Sequence, residues 1–329
     1  MDFIRETEFF SGAFPVRYGD ALSSVLAIEN RPGSNEGVRG DFTLGATEAA
    51  LNLDGPAGED GNWLFSVRRS YLQFLFQALG LPIRPDYWDA QLRFEYEPTP
   101  NDRILLVGLG AIDNFDIVPP TPGDDYENSE IAARVIDNDQ RTYTVGASWR
   151  RLVSGGYITT TLSQSTSDFA FEDPGADSLP VLTNESLERS TRMTIQGDFA
   201  SGDALTFGVG LEADRASLNA DVYQRAIPGG TLPEDLAWSE EVSLWKLAAY
   251  AQVTSTLGRL TLSGGFRTDE VTRLEDGLEW SPRGSARFEL TRQLSVQLGL
   301  GVFHQSPSLL SLSVREDGIP VNLGLRQMR

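Results

Sequence analysis

The feature that most constrains this chain is a two-residue alternation of apolar and polar side chains, which recurs along most of its 329 residues. In residues 87–97, for example, Trp88 and Leu92 alternate with charged residues such as Arg93 and Glu95. Helical spacing does not fit this pattern, whereas a β-strand places successive side chains on opposite faces. The pattern predicts strands with one apolar and one polar face. It recurs in residues 142–150, 192–199, 205–214, 246–254, 260–267, 284–290 and 294–303.

The connections between these segments alternate in length. Short links, rich in residues that favour tight turns, lie at 54–61, 98–102, 154–155, 201–202, 257–258 and 291–293. Longer polar connections lie at 75–86, 113–140, 168–187, 218–240 and 271–279. Short turns at one end and long loops at the other are typical of outer-membrane barrels, whose strands contain no long apolar run. The sequence therefore predicts an all-β fold, an antiparallel transmembrane β-barrel.

A soluble β-sandwich or solenoid is the alternative, because it also alternates strands and turns. Two features favour the barrel. Charged residues occupy strand centres, where a polar lumen would accommodate them, and aromatic residues cluster near strand ends, where interfacial girdles would form. These aromatic residues are Trp63, Trp88, Tyr96, Tyr143 and Trp149.

The composition excludes several classes of function. The chain has 27 basic and 47 acidic residues, a net charge of −20, so it lacks the basic surface that nucleic-acid binding needs. It has no cysteine and one histidine, which excludes thiolate zinc sites and histidine pairs. Asp89 and Glu95, on one strand face, are about 20 Å apart, too far for paired acid and base catalysis. We expect no enzyme, cofactor or metal site.

Residues 8–28, EFFSGAFPVRYGDALSSVLAI, resemble the end of the plug domain of TonB-dependent outer-membrane receptors, in particular a Bacteroidetes-like branch. Barrel landmarks of that family are matched in the same order by residues 51–56, 63–71, 249–252, 264–267, 281–283 and 301–307. The resemblance implies that residues 1–36 are the end of a plug. It also implies that residues 37–329 form about 13 of the family's about 22 barrel strands, with short periplasmic turns and long extracellular loops. An internal fragment of a longer receptor is the corresponding expectation.

The resemblance also implies a function and its partners. Receptors of this family take up scarce nutrients, such as iron chelates, cobalamin or glycans, across the outer membrane. TonB supplies the energy by pulling on an N-terminal box, which is missing from this chain, through strand addition. Outer-membrane lipid would surround the barrel. A passive surface protein, either an adhesin or a structural pore without energised transport, is the alternative.

Three groups of candidate site residues follow. Arg17, Tyr18 and Gly19 match the plug segment of the family, where a simple turn is favoured over ligand contact. Ser11 departs from the arginine of many family members, which puts a plug-to-barrel ion pair there in doubt. The lumen-facing candidates, which could contact the plug, are Arg68, Arg93, Glu95, Arg267 and Arg287.

The extracellular-loop candidates are Asp124, Asp125, Tyr126 and His304. The acidic loop 113–140 has enough carboxylates for a calcium site. However, its spacing matches no known calcium motif, and a hydrated loop is favoured. For His304, contact with an iron chelate is the functional interpretation, and a structural role is favoured over it.

Overall fold

The computed structural model describes residues 3–118, 137–173, 181–226, 234–274, 277–313, 315–316, 319–320 and 326–328. Thirteen consecutive antiparallel strands, β3 to β15, form one sheet in which every strand pairs with its neighbours in sequence. Two separate two-stranded sheets, β1–β2 and β16–β17, accompany it. In the described part of the chain, no helix is long and apolar enough to cross a membrane. The predicted count of thirteen antiparallel strands is confirmed.

The elements have the following bounds: β1 Ile4–Phe10, β2 Val25–Asn30, β3 Arg39–Leu44, β4 Glu48–Pro56, β5 Gly61–Ser70, α1 Leu72–Ala78, β6 Ile83–Thr99, β7 Asp102–Ile117, β8 Asp137–Val153, β9 Gly156–Asp173, β10 Leu182–Ser201, β11 Leu205–Gln224, β12 Leu236–Leu257, β13 Leu260–Val271, β14 Leu278–Glu289, β15 Ser295–Gly301, α2 Leu309–Ser313, β16 Arg315–Glu316 and β17 Ile319–Pro320.

The central strands are longer than the sequence predicts. Strands β6 to β12 have 16 to 22 residues, whereas about 9–11 suffice to cross a membrane. The expected loops 113–140, 168–187 and 218–240 are therefore wrong in their bounds, since the flanking strands continue into each of them. The sequence prediction ended each strand where the apolar alternation ended. Backbone pairing between neighbouring strands does not require apolar side chains and continues beyond that point.

Burial across the sheet is the reverse of that in a soluble protein. On β6, Trp88 and Leu92 are 40% and 46% exposed, whereas Arg93 and Glu95 are only 8% and 7% exposed. We call the face that carries Arg93 and Glu95 the inner face, and the apolar face the outer face. No second sheet covers the outer face in the described residues. This arrangement excludes the sandwich and requires an apolar environment outside the sheet.

This pattern inverts toward the long-loop end of β11, β12 and β13. There the inner face is apolar and buried, whereas outer-face residues such as Asn219 and Asp221 are polar and exposed. The helix α2 covers the inner face and contributes Leu309. The buried cluster consists of Ala216, Leu218, Ala220, Val222, Val242, Leu244, Val271 and Leu309. The apolar outer band therefore ends part-way along these strands, and a protein core begins.

Candidate functional site: the contact between the N-terminal segment and the sheet

Residues 11–20, which we call the N-terminal segment, belong to the connection between β1 and β2 and lie against the inner face of the sheet. The segment contains a turn in which the Tyr18 amide donates to the Pro15 carbonyl at 3.1 Å. Ala13 and Asp20 have left-handed backbone conformations, with φ of 48° and 55°. Such conformations are uncommon outside glycine, so surrounding contacts must hold them. Phe14 and Val16 are 0% and 1% exposed, which fixes the segment to the sheet.

Arg283 of β14 binds the backbone of the turn. Its Nη1 donates to the carbonyl oxygens of Tyr18 at 2.6 Å, Pro15 at 3.1 Å and Phe14 at 3.5 Å. The guanidinium also lies between the rings of Phe14 and Phe303, at 4.7 and 4.6 Å from their centroids. This cation–π sandwich compensates for the burial of the charge. The sequence analysis quoted Arg283 only as part of a barrel landmark and missed its role.

Arg267 of β13 is a second buried arginine, 2% exposed, that binds the segment. Its Nη1 lies 3.5 Å from the Val16 carbonyl oxygen and 3.4 Å from that of Arg17. Asp269 accepts from its Nε at 2.8 Å, which neutralises and orients the guanidinium. A Cβ at Gly19 would lie 2.3 Å from the guanidinium carbon, so a larger residue there would displace the arginine from this position. The structure thus brings together Gly19 and Arg267, which the sequence placed in different groups.

The two other residues of the predicted plug motif also contact their surroundings. Arg17 pairs with Asp198 of β10 at 3.0 Å. The Tyr18 ring packs on Phe10 with centroids 5.6 Å apart. Burial raises the pKa of Tyr18 and outweighs the nearby charge of Arg17, which lowers it. All three motif residues therefore contribute to the contact between the segment and the rest of the chain.

Asp20 closes the segment with two further bonds. Its carboxylate accepts from Lys246 Nζ of β12 at 2.7 Å and from the Ser306 amide at 2.7 Å. Burial alone would raise the pKa of Asp20, but Lys246 and the hydrogen bond from Ser306 outweigh it and lower that pKa. The sequence analysis assigned no role to Asp20 or Lys246. The one available signal was that Lys246 is the only lysine in the chain.

Four of the five lumen-facing candidates lie apart from the segment. Arg68 donates to Asp89 at 2.6 Å, and Arg93 forms a buried ion pair with Glu95. Arg68 and Arg93 line a cavity of 910 Å³ between the β1–β2 hairpin and the inner face of the neighbouring strands. Arg287 lies on the same face of β14 as Arg283 but is exposed near the short turn.

His304 follows β15 and is 5% exposed. Its Nδ1 lies 3.0 Å from Ser281 Oγ, and its Nε2 lies 3.2 Å from a carboxylate oxygen of Glu279. Both ring nitrogens therefore have partners within the protein. Asp124, Asp125 and Tyr126 lie outside the described residues, as does most of the acidic loop. In the described remainder, no group of three or more potential metal ligands occurs.

The family model described as TonB dependent receptor-like, beta-barrel, matches residues 85–319. The chain belongs to this family. Its sheet is accordingly part of the wall of an outer-membrane β-barrel, and the cell outer membrane supplies the apolar surroundings of its outer face. The finer assignment to a Bacteroidetes-like branch stays a prediction.

Solved structures with the same fold include several receptors. The ferric enterobactin receptor PfeA of Pseudomonas aeruginosa is 15% identical with a TM-score of 0.69, over 94% of this chain and 50% of that one. The siderophore receptor PirA of Acinetobacter baumannii is 13% identical with a TM-score of 0.70, over 93% and 48%. The copper transporter OprC is 13% identical with a TM-score of 0.68, over 93% and 52%. The chain thus spans about half the length of these proteins. No curated protein sequence matches it.

Proposed function

We propose that this chain serves in TonB-dependent uptake of a scarce nutrient across the outer membrane, with residues 1–36 acting as the end of the plug. The observation that carries the proposal is the binding of the N-terminal segment to the inner face through Arg267 and Arg283. Apart from the buried side chains of Phe14 and Val16, the contacts described for the segment are hydrogen bonds and ion pairs, so its release exposes only a small apolar surface. A passive pore or adhesin has no need of a releasable internal segment.

The nutrient that we propose is an iron chelate. PfeA and PirA are named as receptors for ferric enterobactin and for siderophores, and OprC as a copper transporter. Cobalamin and glycans are the further substrate classes that the family resemblance implies. The partner is TonB, which would bind an N-terminal box by strand addition. In this proposal the protein performs transport and no catalysis.

Uptake in the host bacterium tests the proposal. We expect accumulation of ⁵⁵Fe supplied as siderophore chelates to depend on the receptor and to stop when TonB is deleted. A panel of copper, cobalamin and oligosaccharides identifies the nutrient if iron chelates fail. Receptor-dependent uptake of any of these that persists without TonB would contradict energised transport and support the passive alternative.

A disulfide lock tests whether the segment has to move. A Cβ at Gly265 would lie 2.9 Å from both γ-methyl carbons of Val16, so Val16→Cys with Gly265→Cys brings two thiols within bridging distance. The chain has no other cysteine. Oxidation should abolish uptake, and a reductant should restore it.

The matched control joins two wall strands instead. Thr254 and Ser263 are paired residues of β12 and β13 whose hydroxyl oxygens are 2.9 Å apart. A disulfide between cysteines at these positions should leave uptake unchanged. Full uptake with the Val16–Gly265 bridge closed would mean that the segment stays in place during transport.

A further inference from the structure

Residues 302–313, which we call the inward loop, follow β15 and fold back over the inner face of the sheet at its long-loop end. The loop begins with the Val302 amide donating to the Pro282 carbonyl at 3.0 Å and ends with α2. Along this path it contacts both the wall and the N-terminal segment. The two sets of contacts differ in kind.

The contacts of the inward loop with the wall are largely buried. Leu309 is 5% exposed within the apolar cluster of β11, β12 and β13, and Leu312 packs against the same cluster. His304 is bonded to Ser281 and Glu279 of β14. Ser313, the last residue of α2, is 1% exposed. Detaching the loop from the wall would expose apolar surface and leave buried polar groups without partners, which is costly.

The contacts with the segment are fewer. Phe303 packs on Phe14 with ring centroids 4.7 Å apart, at the point where the loop leaves β15. Further along, the Ser306 amide donates to Asp20, whose other carboxylate oxygen binds Lys246. The side chain of Asp20 keeps 35% of its surface exposed, beside a polar cavity of 280 Å³. Solvent can therefore compete for this carboxylate. The hydrogen bond between Asp20 and Ser306 is for that reason easier to break than the apolar packing of α2 on the wall.

We propose that Asp20 is the positioning residue that joins the segment to the inward loop, and that release of the segment breaks this link while the loop stays docked on the wall. The proposal rests on the proposed function, because it describes how the segment leaves its site. One carboxylate bonded to the wall and to the loop keeps the segment in place until it is pulled. The inward loop then stays in place on the inner face, at the long-loop end of the sheet.

Two buried positions report on the two steps separately. Val16→Cys, at a position of the segment that is 1% exposed because it packs against the wall, becomes reactive when the segment leaves the wall. Ser313→Cys, a nearly isosteric change at the end of α2, becomes reactive when the loop undocks. Each is introduced alone into the receptor as its host encodes it. Alkylation by a membrane-impermeant maleimide is measured in isolated outer membranes, without TonB or nutrient, so the result does not depend on whether uptake is energised.

Asp20→Asn removes the charge but leaves an amide of the same shape. We expect it to raise the alkylation rate of Val16→Cys about fivefold, less than the full value of charge-assisted bonds because Asp20 is partly exposed. The rate for Ser313→Cys should not change. Asp41→Asn, a matched change at an exposed aspartate of β3 that accepts from Asn52, should alter neither rate. Lys246→Met breaks one of the two bonds and should give a smaller increase at Val16→Cys.

Two results would overturn the proposal. An unchanged rate at Val16→Cys in both Asp20→Asn and Lys246→Met would show that Asp20 does not hold the segment. A parallel rise at Ser313→Cys would show that the loop moves together with the segment. Receptor-dependent uptake that persists without TonB would instead count against the proposed function, and these alkylation rates would still stand.

Discussion

The two halves of strand β11 place their apolar side chains on opposite faces of the sheet. Near the short turns, Leu211 points outward and is 60% exposed on the protein surface, while Asp214 on the inner face is 2% exposed. Near the long loops, Leu218 points inward and is 3% exposed, while Asn219 faces outward. The first half keeps its apolar side chains for lipid, and the second keeps them for a protein core. A single continuous strand therefore has lipid around its apolar side chains in one half and a protein core around them in the other.

Truncating a leucine in each half tests this difference most strongly. Leu218→Ala leaves a cavity in a packed core and should lower the free energy of unfolding by about 2–5 kcal/mol. Leu211→Ala should lower the free energy of unfolding by only about 2 kcal/mol, the value of moving the lost methyl groups out of an apolar environment, because lipid chains fill the vacated space. Urea unfolding of the bilayer-inserted receptor measures both. A larger loss at position 211 than at position 218 would contradict the assignment of the two halves.

Placing a charge on the outer face locates the boundary between the halves. Leu211→Arg should cost about 2–4 kcal/mol, because lipid-facing arginines destabilise barrels most near the bilayer midplane. Asn219→Arg, eight residues along on the same outer face, should change the unfolding free energy by less than about 0.5 kcal/mol. The same urea titration applies. Equal costs at the two positions would mean that lipid covers the whole length of β11.

The inner face of the short-turn half should be sensitive to volume where the segment is bound. Gly19→Ala forces the Arg267 guanidinium away from the segment, and we expect the binding of the segment to weaken by about 1–3 kcal/mol. Gly264→Ala, on the outer face of the same strand as Arg267, adds a methyl group where nothing lies within 4 Å. Alkylation of Val16→Cys should therefore rise with Gly19→Ala and stay unchanged with Gly264→Ala. An equal response to the two changes would refute the close fit at Gly19.

The smallest expected effect is a loss of segment binding at low pH. The pKa of Asp20 is lower in the folded protein than its ordinary value of 3.8, so its bonds stabilise the segment above that pH. Their contribution should disappear as the pH falls below about 4 and through the lowered pKa. Lys246 and Arg192 are the cations that face this carboxylate. Hydrogen exchange of the segment amides, corrected for intrinsic rates, should accelerate there in the wild type and less in Asp20→Asn.

The sequence predicts the framework of the fold well. Period-two alternation and turn residues identify an antiparallel barrel wall, and the family resemblance implies about thirteen strands, the number that the sheet contains. The inversion within β11 is visible in the sequence as a change of phase, because apolar residues occupy odd positions up to 211 and even positions from 216. The sequence prediction ended this strand at 214 and treated residues 218–240 as a loop, so it missed the inversion. Other long strands were predicted too short because their polar ends pair through the backbone, which requires no apolar alternation.

The site was predicted in pieces. Arg17, Tyr18, Gly19 and Arg267 were all identified, but no sequence pattern links a turn near residue 17 to a strand some 250 residues later. Arg283 was overlooked because alternation places many arginines on the inner face, and only the structure shows which of them lie beneath the segment. Asp20 was overlooked because its role depends on Ser306, which lies in a loop without periodicity.

The three bonds from Arg283 have a consequence for how such receptors diversify. All three acceptors are main-chain carbonyls, which every amino acid carries. These bonds therefore depend on the backbone conformation of the turn and not on its amino-acid sequence. Apart from Phe14, whose ring lies against the guanidinium, residues at those positions can vary without weakening these hydrogen bonds, provided that the chain still bends in the same way. We therefore expect segments of different sequence but equal curvature to be interchangeable between barrels that keep this arginine.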